Sequence, residues 1–296
     1  MQSIRIIIVL SAGTAFLMWM GELITDKGVG NGVSVVIFAG IMTSFPGQIA
    51  QTLQWYKEGL FSLVSILGLV LILLLTITAI VAMQLGQRRI PVQYAKQVHG
   101  RRYRPKHSTY LPLRVNSAGV MPIIFAISVL LFPAQVLQLL PYDRLADLPF
   151  INASAEVLRN WGTRAASFFS PGQSMSALIM YFVLTVLFTY FYTAVTFKPT
   201  EVADQLKKNG GYVPGVRPGK PTISYLDRVM TRITLVGALF LGIIALLPYL
   251  VPELTGVTTF SLVGGTSLLI VVGVALDTMQ QIETHLLVRQ YEGFIK

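Results

Sequence analysis

The chain has 296 residues, 53% of them hydrophobic and only 12% charged, with a formal net charge of +10. A soluble domain holds roughly twice that charged fraction, so a water-soluble globule is excluded. With no cysteine, neither a disulfide framework nor a thiolate metal site or nucleophile is available.

Seven apolar segments succeed one another: residues 4–20, 33–45, 60–85, 118–140, 175–197, 233–251 and 264–282. Most approach the ~20 residues that cross ~30 Å of hydrocarbon as a helix. The first is no cleaved signal, because Gly21 and Glu22 stand where a small-residue cleavage site would be. It begins almost at Met1, so the chain is expected to be a piece of a longer protein. Gly28-Val29-Gly30-Asn31-Gly32 lacks the following Lys-Ser/Thr and the preceding strand of a phosphate-cradling loop, and reads as a flexible link between helices. The second segment is the weak one. Pro46-Gly47 is expected to stop it, leaving a reach of only about 20 Å. That suits either a broken helix lining a polar cavity or a re-entrant or tilted helix packed in the bundle.

Residues 86–115 hold eight Lys/Arg (Arg88, Arg89, Lys96, Arg101, Arg102, Arg104, Lys106, Arg114) and no acid. Ile90, Val92 and Tyr94 alternate with polar residues and His99-Gly100 offers a turn, so an extended hairpin arm is expected. Residues 141–174 make the longest loop on the opposite side, where 153–169 has the pattern of a surface helix. Residues 198–232 hold seven bases (Lys198, Lys207, Lys208, Arg217, Lys220, Arg228, Arg232) and three acids. Thr200 is expected to cap a short helix carrying Glu201 and Asp204 early and Lys207 and Lys208 late, an order that suits the helix dipole, with Asn209-Gly210 as its stop. Residues 213–220 read as a stiff turn with Arg217 at the tip. Two crossings separate the basic loops 86–115 and 198–232, so both face one compartment, and positive charge marks it as the cytoplasm.

Catalytic constellations are missing: the sequence has no HExxH, GxSxG or Walker A pattern. No enzyme, cofactor or metal is expected. His99 and His107 sit among arginines, and His285 stands alone. Asp277 is the one ionisable residue in a span that invites a functional reading, as a proton relay or as a carboxylate reaching the interface. The basic loops admit three readings: a topology signal, a site for anionic lipid head groups, or a docking surface for ribosomal RNA or an acidic protein face. Tyr94, Tyr103 and Tyr110 among the arginines suit RNA contact. Eight bases without an acid exceed what orientation requires, which favours docking.

Several motifs carry a likeness to a known family. They are Gly30-Asn31-Gly32-Val33-Ser34 leading into Ile37-Phe38-Ala39-Gly40-Ile41, and Gly86-Gln87-Arg88-Arg89-Ile90-Pro91-Val92-Gln93-Tyr94-Ala95-Lys96. Leu111-Pro112-Leu113-Arg114-Val115-Asn116 and Ala118-Gly119-Val120-Met121-Pro122 follow. Then come Phe197-Lys198-Pro199, Pro214-Gly215-Val216-Arg217-Pro218-Gly219, Met230-Thr231-Arg232-Ile233-Thr234, and the run from Gly264-Gly265-Thr266 to Val272. In order and spacing the chain resembles the SecY family, central subunits of the bacterial protein-conducting channel, over essentially its whole length. The likeness is to helices four to ten of the family's ten.

The resemblance implies an all-α, polytopic membrane bundle of about seven transmembrane helices, a single membrane domain over residues 1–296 that lacks the family's first three helices. It implies a passive pore-forming subunit in the bacterial cytoplasmic membrane, moving unfolded polypeptide across the bilayer or sideways into lipid. Implied partners are SecE and SecG, with the ribosome or the ATPase SecA at the cytoplasmic loops. The apolar constriction of the family would draw on Val33, Ile37, Ile124 and Ile270, where Val33 replaces the commoner isoleucine. Asn116 matches a polar position near the lateral gate, though capping of the amides of residues 118–121 explains it equally well. Arg88, Arg89, Arg101, Arg102, Arg104, Lys106, Arg217 and Lys220 match the protrusions that contact partners. The competing reading is a secondary transporter with a site at the interrupted helix 33–45. A membrane-embedded hydrolase would need paired acids or a nucleophile at midplane, and the sequence offers neither.

Overall fold

The computed structural model describes residues 2–94, 108–140, 155–257 and 265–292. In chain order these form helices α1 (Gln2–Lys27), α2 (Gly32–Lys57) and α3 (Leu63–Leu85), strands β1 (Gln87–Tyr94) and β2 (Ser108–Arg114), helices α4 (Met121–Leu139), α5 (Ala155–Phe169), α6 (Met175–Thr196) and α7 (Pro199–Lys208), strand β3 (Gly211–Tyr212), and helices α8 (Lys220–Thr255) and α9 (Thr266–Glu292). Among the described residues six helices are long and apolar enough to cross a membrane: α1, α2, α3, α4, α6 and α8. The seventh expected segment becomes α9, whose apolar part ends at Asp277. The chain divides into two compact units, Met1–Val81 with Leu250–Lys296, and Ala82–Tyr249.

In the first unit α2 packs against α1 and α9. Contrary to expectation, α2 does not stop at Pro46. It continues to Lys57, a length of 26 residues that reaches about 39 Å. Proline removes one amide donor, and in a membrane helix neighbouring hydroxyls can satisfy nearby backbone groups. The carbonyl left without its amide is that of Met42; Thr43 Oγ1 and Ser44 Oγ in the same turn donate to the Gly40 and Ile41 carbonyls at 2.8 and 2.7 Å. The interrupted helix on which a transporter site would depend is therefore continuous.

The second unit has two layers of organisation. Its apolar helices pair through α4, which contacts both α5 and α6. The buried stripe of α6 runs Ala177, Tyr181, Thr185, Thr189, Thr193, one residue every four. Thr185 and Thr189 donate to the carbonyls of Tyr181 and Thr185 at 2.8 and 2.6 Å, so burial leaves neither hydroxyl unpaired. Where α8 crosses α6, a Cβ on Gly242 would meet the Phe182 ring at 2.6 Å; glycine is what the close approach requires. The second layer is the sheet described below. Helix α7 starts two residues earlier than expected. Lys198 takes the cap position without a side-chain bond and Pro199 opens the helix, so Thr200 is no cap. Proline at the first turn needs no amide partner, which makes it a sufficient start.

Candidate functional site

Strand β1 pairs antiparallel with β2 from Gln87↔Arg114 to Gln93↔Ser108, which realises the expected hairpin. A third strand was not anticipated. Gly211 and Tyr212 add to the free edge of β1 opposite Tyr94 and Gln93, giving the order β2-β1-β3. The Tyr212 hydroxyl donates to Gln93 Oε1 at 3.1 Å across that seam. The described parts of the two basic loops therefore form one folded body. Its core is Ile90 and Leu113 from the hairpin, Ala203 from α7, Val213, and Leu226 and Met230 from α8.

Alternation along the strands sorts the charged residues. Ile90 and Val92 point into the core, and Arg89 stands on the opposite, solvent face with Tyr110 and Arg114, all three exposed. Arg88 shares its parity with Ile90 and lies exposed at the rim of the inward face. Arg217 and Lys220 are exposed. The turn between them is fixed: Gly215 and Gly219 take φ of +82° and +103°, and Thr222 Oγ1 donates to the Arg217 carbonyl at 2.8 Å. Arg101, Arg102, Arg104 and Lys106, with Tyr103, lie outside the described residues.

Of the residues expected at a constriction, Val33 and Ile37 lie one turn apart on α2 and are 50% and 45% exposed, sharing a face as their spacing demands. Ile270 is part-buried on α9 in the same unit. Ile124 is 41% exposed on α4, in the second unit. The entry into α2 is held from three directions. Asn31 caps the helix by accepting from Ser34 N at 3.3 Å, and Gly32 N donates to Thr25 Oγ1 at 2.8 Å. Gly30 N donates to Gln281 Oε1 on α9 at 2.7 Å. A Cβ at Gly32 would lie 1.8 Å from the Gly21 carbonyl oxygen. The expected flexible link is instead a built turn. Sequence reasoning missed Thr25 and Gln281, which lie outside every motif although their partners Gly32 and Gly30 lie within one.

Asn116 is 7% exposed in the connection between β2 and α4, and its Oδ1 has no hydrogen-bond partner. It caps nothing: α4 starts after Val120, with Pro122 in the first turn and no side-chain cap. A buried acceptor without a donor costs about 1–3 kcal/mol, so the position is not explained by local stability.

The family model for SecY matches residues 1–279. The chain is 45% identical over 285 residues to the protein translocase subunit SecY of Thermotoga maritima, covering 96% of this chain and 60% of that protein. It is 44% identical over 295 residues to SecY of Mycobacterium bovis, covering 98% and 63%. Against SecY of Thermus thermophilus the identity is 43% over 284 residues, covering 96% and 61%. Among solved structures, a protein-conducting channel superposes with a TM-score of 0.59 at 17% identity, over 92% of this chain and 63% of that one. The chain thus spans about three-fifths of the length of the curated relatives it matches.

Proposed function

This multi-pass membrane chain belongs to the SecY family, and from that premise we propose that it supplies the pore-lining and partner-docking portion of a protein-conducting channel in the bacterial plasma membrane. The observation that carries this reading is the basic body with its own core, assembled from both loops at the ends of the apolar helices. A topology signal needs only charge; a core and a closed turn hold charge in fixed positions, which a docking surface requires.

In this reading Arg89, Arg217, Lys220 and the basic stretch Arg101, Arg102, Arg104 and Lys106 meet an acidic or RNA-bearing partner, SecA or the ribosome, which supplies the driving force. SecE and SecG complete the membrane assembly. No chemical step is assigned to this chain. Val33, Ile37, Ile124 and Ile270 form an apolar neck that sheds water and ions until a peptide enters. Parity of the crossings sends α2 and α9 in opposite senses. Ile37, seven residues beyond Gly30, and Ile270, eight before Thr278, then lie at similar depth at ~1.5 Å per residue, given the Gly30–Thr278 contact. Asn116, a buried acceptor at the head of α4, is the polar element of the lateral gate.

Arg217→Glu tests the docking reading. Losing a well-placed charge pair costs about 2–5 kcal/mol, so motor-driven export of a precursor into proteoliposomes bearing the assembled channel falls by at least roughly tenfold. Small-solute uptake stays as before. Intact export with lost solute uptake would instead establish a secondary transporter. A second expectation concerns the neck: Ile37→Asn wets it and raises resting chloride leak into such vesicles by roughly tenfold. A leak equal to that of the parent chain removes Ile37 from the neck.

A further inference from the structure

One cleft of about 350 Å³ opens beneath the inward face of the sheet, lined by Arg88, Val115, Val229, Arg232, Ile233 and Val236. Four of the six are aliphatic, and the only charged groups are two guanidiniums. Neither guanidinium has an acidic partner among the described residues. Val229, Arg232, Ile233 and Val236 follow the i, i+3, i+4, i+7 spacing, so Arg232 interrupts an otherwise apolar row on one face of α8.

Position matters as much as composition. Arg232 is the last charged residue of α8 before Glu253, and Arg88 comes three residues after Leu85 closes α3. Both therefore stand where hydrocarbon gives way to water on the side of the basic loops. Strand alternation keeps Arg88 off the solvent face that carries Arg89. The two guanidiniums come from different loops, brought near each other because β1 and α8 grip the same core. Beside the cleft the chain approaches α8 closely: a Cβ on Gly237 would lie 2.7 Å from the Val115 carbonyl oxygen.

We propose that this cleft seats one anionic phospholipid of the adjoining leaflet, its phosphate held between Arg88 and Arg232 and its first acyl methylenes laid over Val115, Val229, Ile233 and Val236. Charge complementarity selects the ligand. A phosphodiester offers the planar guanidinium fork two oxygens at once, and basic pockets at the loop-side ends of membrane helices suit such head groups. An RNA phosphate or an acidic peptide would leave the aliphatic lining in contact with polar groups. A zwitterionic lipid would bring its own cation beside the arginines.

The test uses the complete channel complex in phosphatidylcholine nanodiscs containing a minority of phosphatidylglycerol with a photoactivatable acyl chain. Labelling read by mass spectrometry is expected on the peptide spanning residues 229–236. It falls about fivefold in the Arg88→Gln/Arg232→Gln double variant, the loss expected when a fixed phosphate site becomes a random encounter. Val236→Trp, which fills the cleft and leaves both charges, lowers it as well. Excess inorganic phosphate does not compete, which separates the lipid from a free anion. Equal labelling by a phosphatidylcholine probe overturns the proposal, as does labelling that survives either the double substitution or the tryptophan.

Discussion

Replacing Gly32 with valine is expected to abolish complementation of a strain that depends on this chain, whereas Gly13→Ala leaves growth unchanged. A Cβ at position 32 would sit 1.8 Å from the Gly21 carbonyl oxygen and 2.7 Å from its carbon. Both are backbone atoms, which cannot swing aside as a side chain does. Inserting atoms into a packed site costs about 1–3 kcal/mol and occasionally more, and a contact with backbone belongs at the upper end. Separating the helices also breaks the 2.8 Å bond from Gly32 N to Thr25 Oγ1, worth about 1 kcal/mol. Val33 and Ile37, the α2 members of the proposed neck, follow immediately, so the neck is expected to be displaced with the helix. A Cβ at Gly13 meets nothing within 4 Å, so that variant controls for glycine loss in α1. Full complementation by Gly32→Val would show that the α1–α2 junction can open at no cost.

The second large effect lies in the basic body. Leu226 is fully buried in a core cluster built from both loops and α8. Leu226→Ala removes that packing and costs about 2–5 kcal/mol, a large fraction of what a body this small can hold. Limited proteolysis of the loops in isolated membranes is expected to accelerate sharply, and export falls with it. Leu226→Met, which nearly conserves volume, costs less than about 1.5 kcal/mol and keeps the loops resistant. Leu239→Ala on the same helix, at a 43% exposed position, changes neither. Unaltered proteolysis of Leu226→Ala would mean that the loops do not share a core.

Legibility followed the physical range of each signal. The hairpin was readable because Ile90 and Val92 alternate over enough residues to show a period. Strand β3 was not, since two residues carry no period and only their partners on β1 define them as a strand. The stop at Pro46 failed because a single proline removes one helical bond without ending a long apolar helix, and α2 runs through it to Lys57. Thr200 failed as a cap because Pro199 already opens the helix. Val33 and Ile37 were proposed for a neck by motif, and their shared face on α2 follows from spacing alone. Arg232 was read as one of seven loop bases, because its place beside Arg88 in an apolar cleft is set by the fold.

Strands β1 and β3 are joined by only two residue pairs, against seven between β1 and β2. A tug on the Arg217 turn travels through Tyr212 into β1, then along the longer ladder to Arg114, Asn116 and the head of α4. Under rising load the shorter ladder unzips before the longer one does. A pull applied at the Arg217 turn is thus expected to part the two-pair seam first and to leave the seven-pair hairpin whole.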